Sequence, residues 1–362
     1  MLQSHFEIRK SDLSQTRWHQ TPLAELKPGE VLLGLDRFAL TANNITYAAL
    51  GDSFSYWAHF PSADGWGRLP VWGFANVVQS AHPEVTVGER LFGYFPLGSH
   101  AVLEPVQLRR DRLSDGSPAR SGLAAAYLSY RRVAPADAQQ EALTALLQPL
   151  FLTSFLLADL LTAESGFAAQ RLLITSASAK TALATAGLLA RERPVGLKII
   201  GLTSPRHLEF VRESGWFDEV LSYAQIETLD PHLPSVLFDF AGDAVVRSRL
   251  HNHLAEAMRH SALIGATHWQ EMRAPEALPG ALPTVFFAPA RLRQRTQDWG
   301  AALLALRIEE AWDAALPGFM RFLKLRTLNS PALIEASYRD LLAGDVDPRQ
   351  GLIGEWIHPL RS

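Results

Sequence analysis

The chain has 362 residues, 48% of them hydrophobic and 20% charged, with a formal net charge of -3 and no cysteine. This is the composition of a globular protein long enough for two domains, without the basic excess of a nucleic-acid binder. Lack of cysteine excludes disulfides, thiolate zinc sites and cysteine nucleophiles. The first residues show no apolar core followed by a cleavage site, which reads as a cytoplasmic protein.

Up to about residue 110, short apolar runs such as Val31–Leu35 and Ala75–Val78 are separated by turn chemistry, Lys27-Pro28-Gly29 and Val87-Gly88-Glu89. That spacing predicts a β-rich unit resembling a partly open barrel. Thr41–Tyr47, then Gly51 and Tyr56–Phe60, gather amides and aromatics in a predicted loop, which reads equally as a ligand wall or as β-core filling. A short helix is expected near Leu123–Tyr130. The most apolar run, Ala142–Leu161, reads as buried helix and not a membrane span, interrupted at Pro149, whose ring removes an N–H and clashes with the carbonyl four residues earlier.

From Arg171 the pattern changes. Leu172–Thr175 reads as a buried strand, Ser176–Ala179 as a tight turn, and Lys180 onward as a helix, an arrangement that aims free N–H groups and a helix dipole at an anion. Lys180-Thr181 match the end of a Walker A loop that lacks its glycines. Ser176, Ala179 and Ala182 place small residues at the spacing of a dinucleotide turn, provided φ stays negative; a bare βα unit is the third reading. Further strands are predicted at Leu197–Thr203, Glu219–Ser222, Val236–Phe240 and Ala262–Gly265, with helices at Pro205–Ser214 and Val245–His260. Such alternation means an α/β doubly wound parallel sheet, with Ser176 and Thr203 at its carboxyl ends. Beyond Pro279 the pattern is mixed: an apolar run at Thr284–Pro289, helices at Asp298–Ala315 and Pro331–Leu342, and a last strand near Ile353–Ile357 return the chain to its start. The expected domains are 1–145 with 285–362, and 146–284.

This order resembles the medium-chain dehydrogenase/reductase superfamily, and its zinc-independent quinone-oxidoreductase branch in particular. There a Rossmann domain is inserted into a GroES-like β-rich domain. Leu172–Ala182 can be laid along the family's glycine-rich turn, followed in the family's order by Ile199–His207, Val220–Tyr223, Val236–Gly242 and Leu263–Gly265. The resemblance implies a dinucleotide held by Ser176, Ala177, Ser178, Ala179, Lys180, Thr181, Thr203, Gly242 and Gly265. After Ile200 no carboxylate appears before Glu209, and a 2'-phosphate would be repelled by one, so the cofactor is expected to be NADP(H), with Ser204, Arg206 and Tyr223 at the 2'-phosphate. The resemblance also implies Asn43 or Asn44 at the nicotinamide ribose or substrate carbonyl, and Tyr47 as proton donor. Tyr56, Trp57, Phe60 and Trp72 would line an apolar pocket for a small quinone, enone or enoyl compound. Proteins of this branch often pair as homodimers through an edge strand. No metal is expected: His59, His82 and His100 lack ligand spacing, and His251 and His253 read as surface residues. The alternative function is a non-catalytic NADP(H)-binding or sensing protein that keeps the reductase fold.

Overall fold

Ten strands are laid down before residue 133: β1 (Leu2–Arg9), β2 (Asp12–Pro22), β3 (Val31–Leu40), then helix α1 (Ala42–Ala49), β4 (Trp66–Arg68), β5 (Pro70–Ser80), β6 (Arg90–Pro96), β7 (His100–Leu103), β8 (Pro105–Val106), β9 (Arg112–Asp115) and β10 (Ser129–Arg132). The computed structural model describes residues 2–264 and 278–356. They fall into two units: the first runs to Leu147 and resumes at Lys324, and the second is Gln148–Leu323.

In the first unit β2-β1-β4 form a small sheet, and a nine-stranded sheet is built around β3 and β5. β3 is buried along almost its whole length, so its run VLLGLDRFAL lacks the strict alternation of a sheet wet on one face. One expectation fails here. Thr41–Tyr47 is not a loop: Thr41 caps α1 and Asn44 completes a reciprocal capping box, the hydrogen-bond pattern that starts helices. The short helix expected near Leu123–Tyr130 is present as a single 3₁₀ turn at Ala125–Tyr127 before β10; it stops there because Tyr130, fully buried, belongs to a strand paired with β6 and β9.

Helix α2 (Ala138–Ala163) runs without a break through Pro149, contrary to the expected interruption. Leu146, Leu147, Leu150 and Phe151 flank the proline and are all buried; at roughly 1.5–3 kcal/mol each their burial outweighs the roughly 3 kcal/mol an internal proline costs. By length and composition α2 is the one helix among the described residues that could cross a membrane.

The second unit alternates as the sequence predicts: β11 (Arg171–Ile174), α3 (Lys180–Arg191), β12 (Lys198–Thr203), α4 (Leu208–Glu213), β13 (Glu219–Ser222), β14 (Ser235–Asp239), α5 (Ala244–Leu254), β15 (Met258–Leu263) and β16 (Pro283–Val285). All six strands are parallel, in the order β13-β12-β11-β14-β15-β16. The order reverses beside β11, which opens a crevice at the carboxyl ends of the central strands. Leu172, Ile174, Ala182, Ala186 and Ile199 share one apolar core, so the small residues of α3 let the helix lie close on the sheet.

The domain boundary expected at 285 lies at Leu323 instead. β16 pairs with β15, and α6 (Ala288–Trp299) and α7 (Ala301–Met320) follow it in the same unit. The chain then returns through β17 (Lys324–Leu328), α8 (Pro331–Ala343) and β18 (Gln350–Glu355), the last pairing with both β17 and β3.

Candidate functional site

At the carboxyl end of β11, Ser176 has φ +48°. The left-handed turn therefore exists with serine where glycine is usual, against the expectation of negative φ. Two contacts hold it: the Ser176 N–H donates to the Tyr223 hydroxyl at 2.9 Å, and the Ala179 N–H donates to the Ser176 carbonyl at 2.8 Å. Burial pushes the Tyr223 hydroxyl up to about 12, so it stays protonated and neutral. Tyr223 thus sits on the turn itself. Ala177, fully buried, donates its N–H to the Leu202 carbonyl, and any Cβ on Gly201 would press on it.

α3 begins at Lys180 after Ala179, which offers no capping side chain, so its first-turn N–H groups and dipole face outward at this end. Lys180 and Thr181 stand half-buried in that first turn. Across the edge, Thr203 ends β12 and is buried, while Ser204 is half-buried and Arg206 exposed. His207, which the sequence reading left without a role, joins the two loops: its Nδ1 lies 3.0 Å from Ser178 Oγ and 3.3 Å from Ser204 Oγ.

β14 closes the other side. Asp239 is 1% exposed and accepts from Thr175 Oγ1 at 2.7 Å, from the Ala241 and Gly242 N–H groups, and from Arg247 Nη1 at 3.0 Å. Gly242 supplies the positive φ, +68°, that this turn requires. Gly265 lies outside the described residues. His251, expected at the surface, is fully buried, with Nδ1 3.0 Å from the Pro279 carbonyl and Nε2 3.0 Å from Ser261 Oγ.

In the first unit the aromatic residues converge. Tyr47, Phe60 and Tyr94 are buried together, with Tyr56, Trp72 and Tyr127 packed around them. Trp72 Nε1–H donates to the Tyr47 hydroxyl at 3.1 Å, and Asn43 stands one turn earlier on α1. Burial raises the Tyr47 hydroxyl above the usual tyrosine range. Tyr56 and Tyr127 hydroxyls are 3.4 Å apart. Asn44 is committed elsewhere: it closes the α1 cap and donates from Nδ2 to the Pro70 carbonyl at 2.8 Å. Trp57 is wedged between Gly51 and Gly67, where any Cβ would overlap its indole, so it packs apart from the other rings.

Sequence reasoning missed two members of this cluster, Tyr94 and Tyr127, and placed His59 in the candidate wall without a role. His59 is 3% exposed, its ring 5.2 Å from those of both Tyr94 and Tyr127. Burial, with the nearby Arg120 guanidinium, lowers the imidazole to about 4, so it is neutral. The His59 Nδ1 and Tyr94 hydroxyl oxygen are buried without a hydrogen-bond partner. Tyr94 and Tyr127 come from strands and turns remote in sequence, and only their aromatic character was visible there.

A family model described as a protein of unknown function (DUF2855) matches residues 38–347. The chain belongs to that family. A comparison with curated proteins returns no match. Among solved structures, this DUF2855 chain is similar to CurA from Vibrio vulnificus in complex with NADPH, with 14% identity, a TM-score of 0.64 and coverage of 99% of this chain and 100% of that one. It is similar also to mycobacterial Rv1454c complexed with NADPH, with 15% identity, a TM-score of 0.60 and coverage of 98% and 99%. The CurK enoyl reductase matches with 14% identity, a TM-score of 0.54 and the same coverage. These likenesses show the fold: a GroES-like β-rich unit together with a Rossmann-type parallel sheet.

Proposed function

We propose that this protein is an NADPH-dependent oxidoreductase that reduces an activated double bond or a quinone in a small molecule by hydride transfer, without a metal. One observation carries the cofactor reading: the end of β12 presents Ser204, Arg206 and His207 beside Ser178, hydroxyls and cations in place of the carboxylate that would bind an unphosphorylated ribose. The donor set fits a phosphorylated dinucleotide. Ser176 to Thr181 and the start of α3 would take its phosphates, with Thr203 and Gly242 at the flanking strand ends. Two structures of similar fold were solved with NADPH, and another is an enoyl reductase, which supports the same class.

When bound, the cofactor supplies the hydride. The chain's own contribution is a dry aromatic wall and a stored proton. Tyr47 keeps its phenolic proton because it is buried, and the Trp72 N–H fixes its hydroxyl oxygen; we assign it as the proton donor that completes reduction. Tyr56, Phe60 and Trp72 form the substrate wall, joined by Tyr127, while Trp57 serves packing.

Thermal-shift titration with NADPH and NADH, then NADPH oxidation with a panel of quinones and enones, tests the proposal. NADPH is expected to stabilise more than NADH and to be consumed; tighter NADH binding sinks the cofactor assignment. Tyr47→Phe is expected to lower turnover by about 100-fold or more with little change in NADPH affinity, and unchanged turnover removes Tyr47 as the donor. One observation favours the non-catalytic alternative: the Tyr47 hydroxyl is already held by the Trp72 N–H inside a packed cluster. Stabilisation by NADPH without oxidation of any acceptor would establish that reading.

A further inference from the structure

One ring nitrogen ties together the ends of two adjacent parallel strands. Ser178 belongs to the turn after β11 and is 7% exposed; Ser204 follows β12, and β11 and β12 are hydrogen-bonded neighbours. Nδ1 of His207 lies within reach of both hydroxyls. It can hold a proton or a lone pair, never both.

The two states present opposite faces to a ligand. With a lone pair on Nδ1, a serine hydroxyl points its proton inward to the ring, leaving oxygen lone pairs outward. With a proton on Nδ1, the ring donates to the serine oxygens, and both hydroxyl protons are released to point outward. In the imidazolium form the same spot gains a positive charge. Only that form offers two O–H donors and a cation together, which is what a phosphate monoester selects. The other charged and titratable groups brought to this edge are Arg206 on the same turn, Glu209 exposed on α4, Lys180 at the head of α3, and Tyr223 after β13, with Asp239 and Asp243 acting on Tyr223 from the β14 side. Of the three carboxylates, Glu209 is on the solvent face, Asp239 is neutralised by Arg247 and Asp243 caps α5.

We infer that His207 is the specificity-determining residue of this edge: its imidazolium, by turning Ser178 and Ser204 outward, selects a ribose 2'-phosphate, and its loss of a proton removes that selectivity. The inference rests on the dinucleotide reading above and adds to it a residue and a pH dependence. The phosphate's own second ionisation, near about pH 6, works in the other direction, since acid lowers its charge. Tighter binding on acidification therefore has to come from the protein.

Binding of 2',5'-ADP, NADPH and NADH to the full chain, measured by calorimetry at pH 6.0 and 8.0, tests this without any turnover assay. Wild type is expected to bind 2',5'-ADP and NADPH about tenfold more tightly at the lower pH, and NADH within about twofold at both. His207→Asn keeps a hydrogen-bonding group where Nδ1 stood but cannot titrate. It should bind NADH like wild type, showing an intact site, and bind the phosphorylated ligands weakly and without the pH trend. A wild-type affinity for NADPH that does not change with pH, or a trend that survives in His207→Asn, overturns the role of His207 while leaving the cofactor assignment standing. If neither nucleotide binds wild type at either pH, the cofactor assignment falls and the inference with it.

Discussion

Two buried clusters, one in each unit, are built on opposite plans. Around Asp239 every acceptor is used: Thr175, two backbone N–H groups and Arg247 surround one buried carboxylate, and the ends of β11 and β14 are pinned together. Around Tyr94 the rings are neutral, with the Arg120 guanidinium against Phe60, and His59 Nδ1 and the Tyr94 hydroxyl are buried without partners. An unpaired buried polar atom costs about 1–3 kcal/mol. The Asp239 cluster spends its polar groups on rigidity at the strand ends, while the aromatic cluster keeps hydrogen-bonding capacity in reserve, as the proposed substrate wall would require.

The sharpest way to break the contrast is at Arg247. Arg247→Met leaves Asp239 as a buried charge without its cation, at a cost of about 3–5 kcal/mol; chemical denaturation followed by a probe in the Rossmann unit should show that loss. A small effect would mean that the remaining donors satisfy the carboxylate alone.

Acid should act on the other unit. His59 and the equally buried His5 each have an imidazole lowered to about 4, His59 by burial and Arg120, His5 by burial and Arg68. In the unfolded chain these rings titrate near about 6.5. Between those values the unfolded state binds more protons, so stability is full above the unfolded value and is lost as pH falls toward 4. The loss is roughly 3 kcal/mol per histidine, read as a fall in denaturation midpoint of the β-rich unit from pH 7 to pH 4. His59→Phe should flatten part of that slope, and an unchanged slope would exclude His59 as its source.

The smallest effects belong to the turn. Tyr223→Phe removes the acceptor of the Ser176 N–H and should cost about 1 kcal/mol, whereas Ser176→Gly relieves a left-handed serine and should leave stability unchanged or raise it by up to about 1 kcal/mol. If glycine destabilises, the Ser176 side chain is making a contact that matters more than its backbone angle.

The Rossmann half was legible because its signals are local. Each strand is a short apolar run, and α3 shows its small residues within one window. The turn was legible in position but not in conformation, since nothing in TSASAK reveals that a tyrosine 47 positions away supports a left-handed serine. The aromatic half was legible only in part. Tyr47, Tyr56 and Phe60 stand close together in the sequence, but Tyr94 and Tyr127 join them through strand pairing and a surface turn, contacts of long sequence separation that periodicity cannot encode. Thr41–Tyr47 was misread because its cap depends on Asn44 as much as on Thr41, and asparagine is as common in loops as at helix starts.

β18 has a consequence for synthesis. It occupies one edge of β3, yet about 300 residues separate the two strands, roughly 15–60 s of translation at the usual pace. During that interval the Rossmann unit is continuous in sequence, while β7 already covers Val31–Gly34 and only the Arg37–Leu40 end of β3 waits unpaired on that side, an edge of the kind that recruits foreign strands. A nascent chain stalled before residue 350 should therefore be aggregation-prone through its β-rich unit and engage chaperones there, and the last strand acts as the closure that ends that exposure.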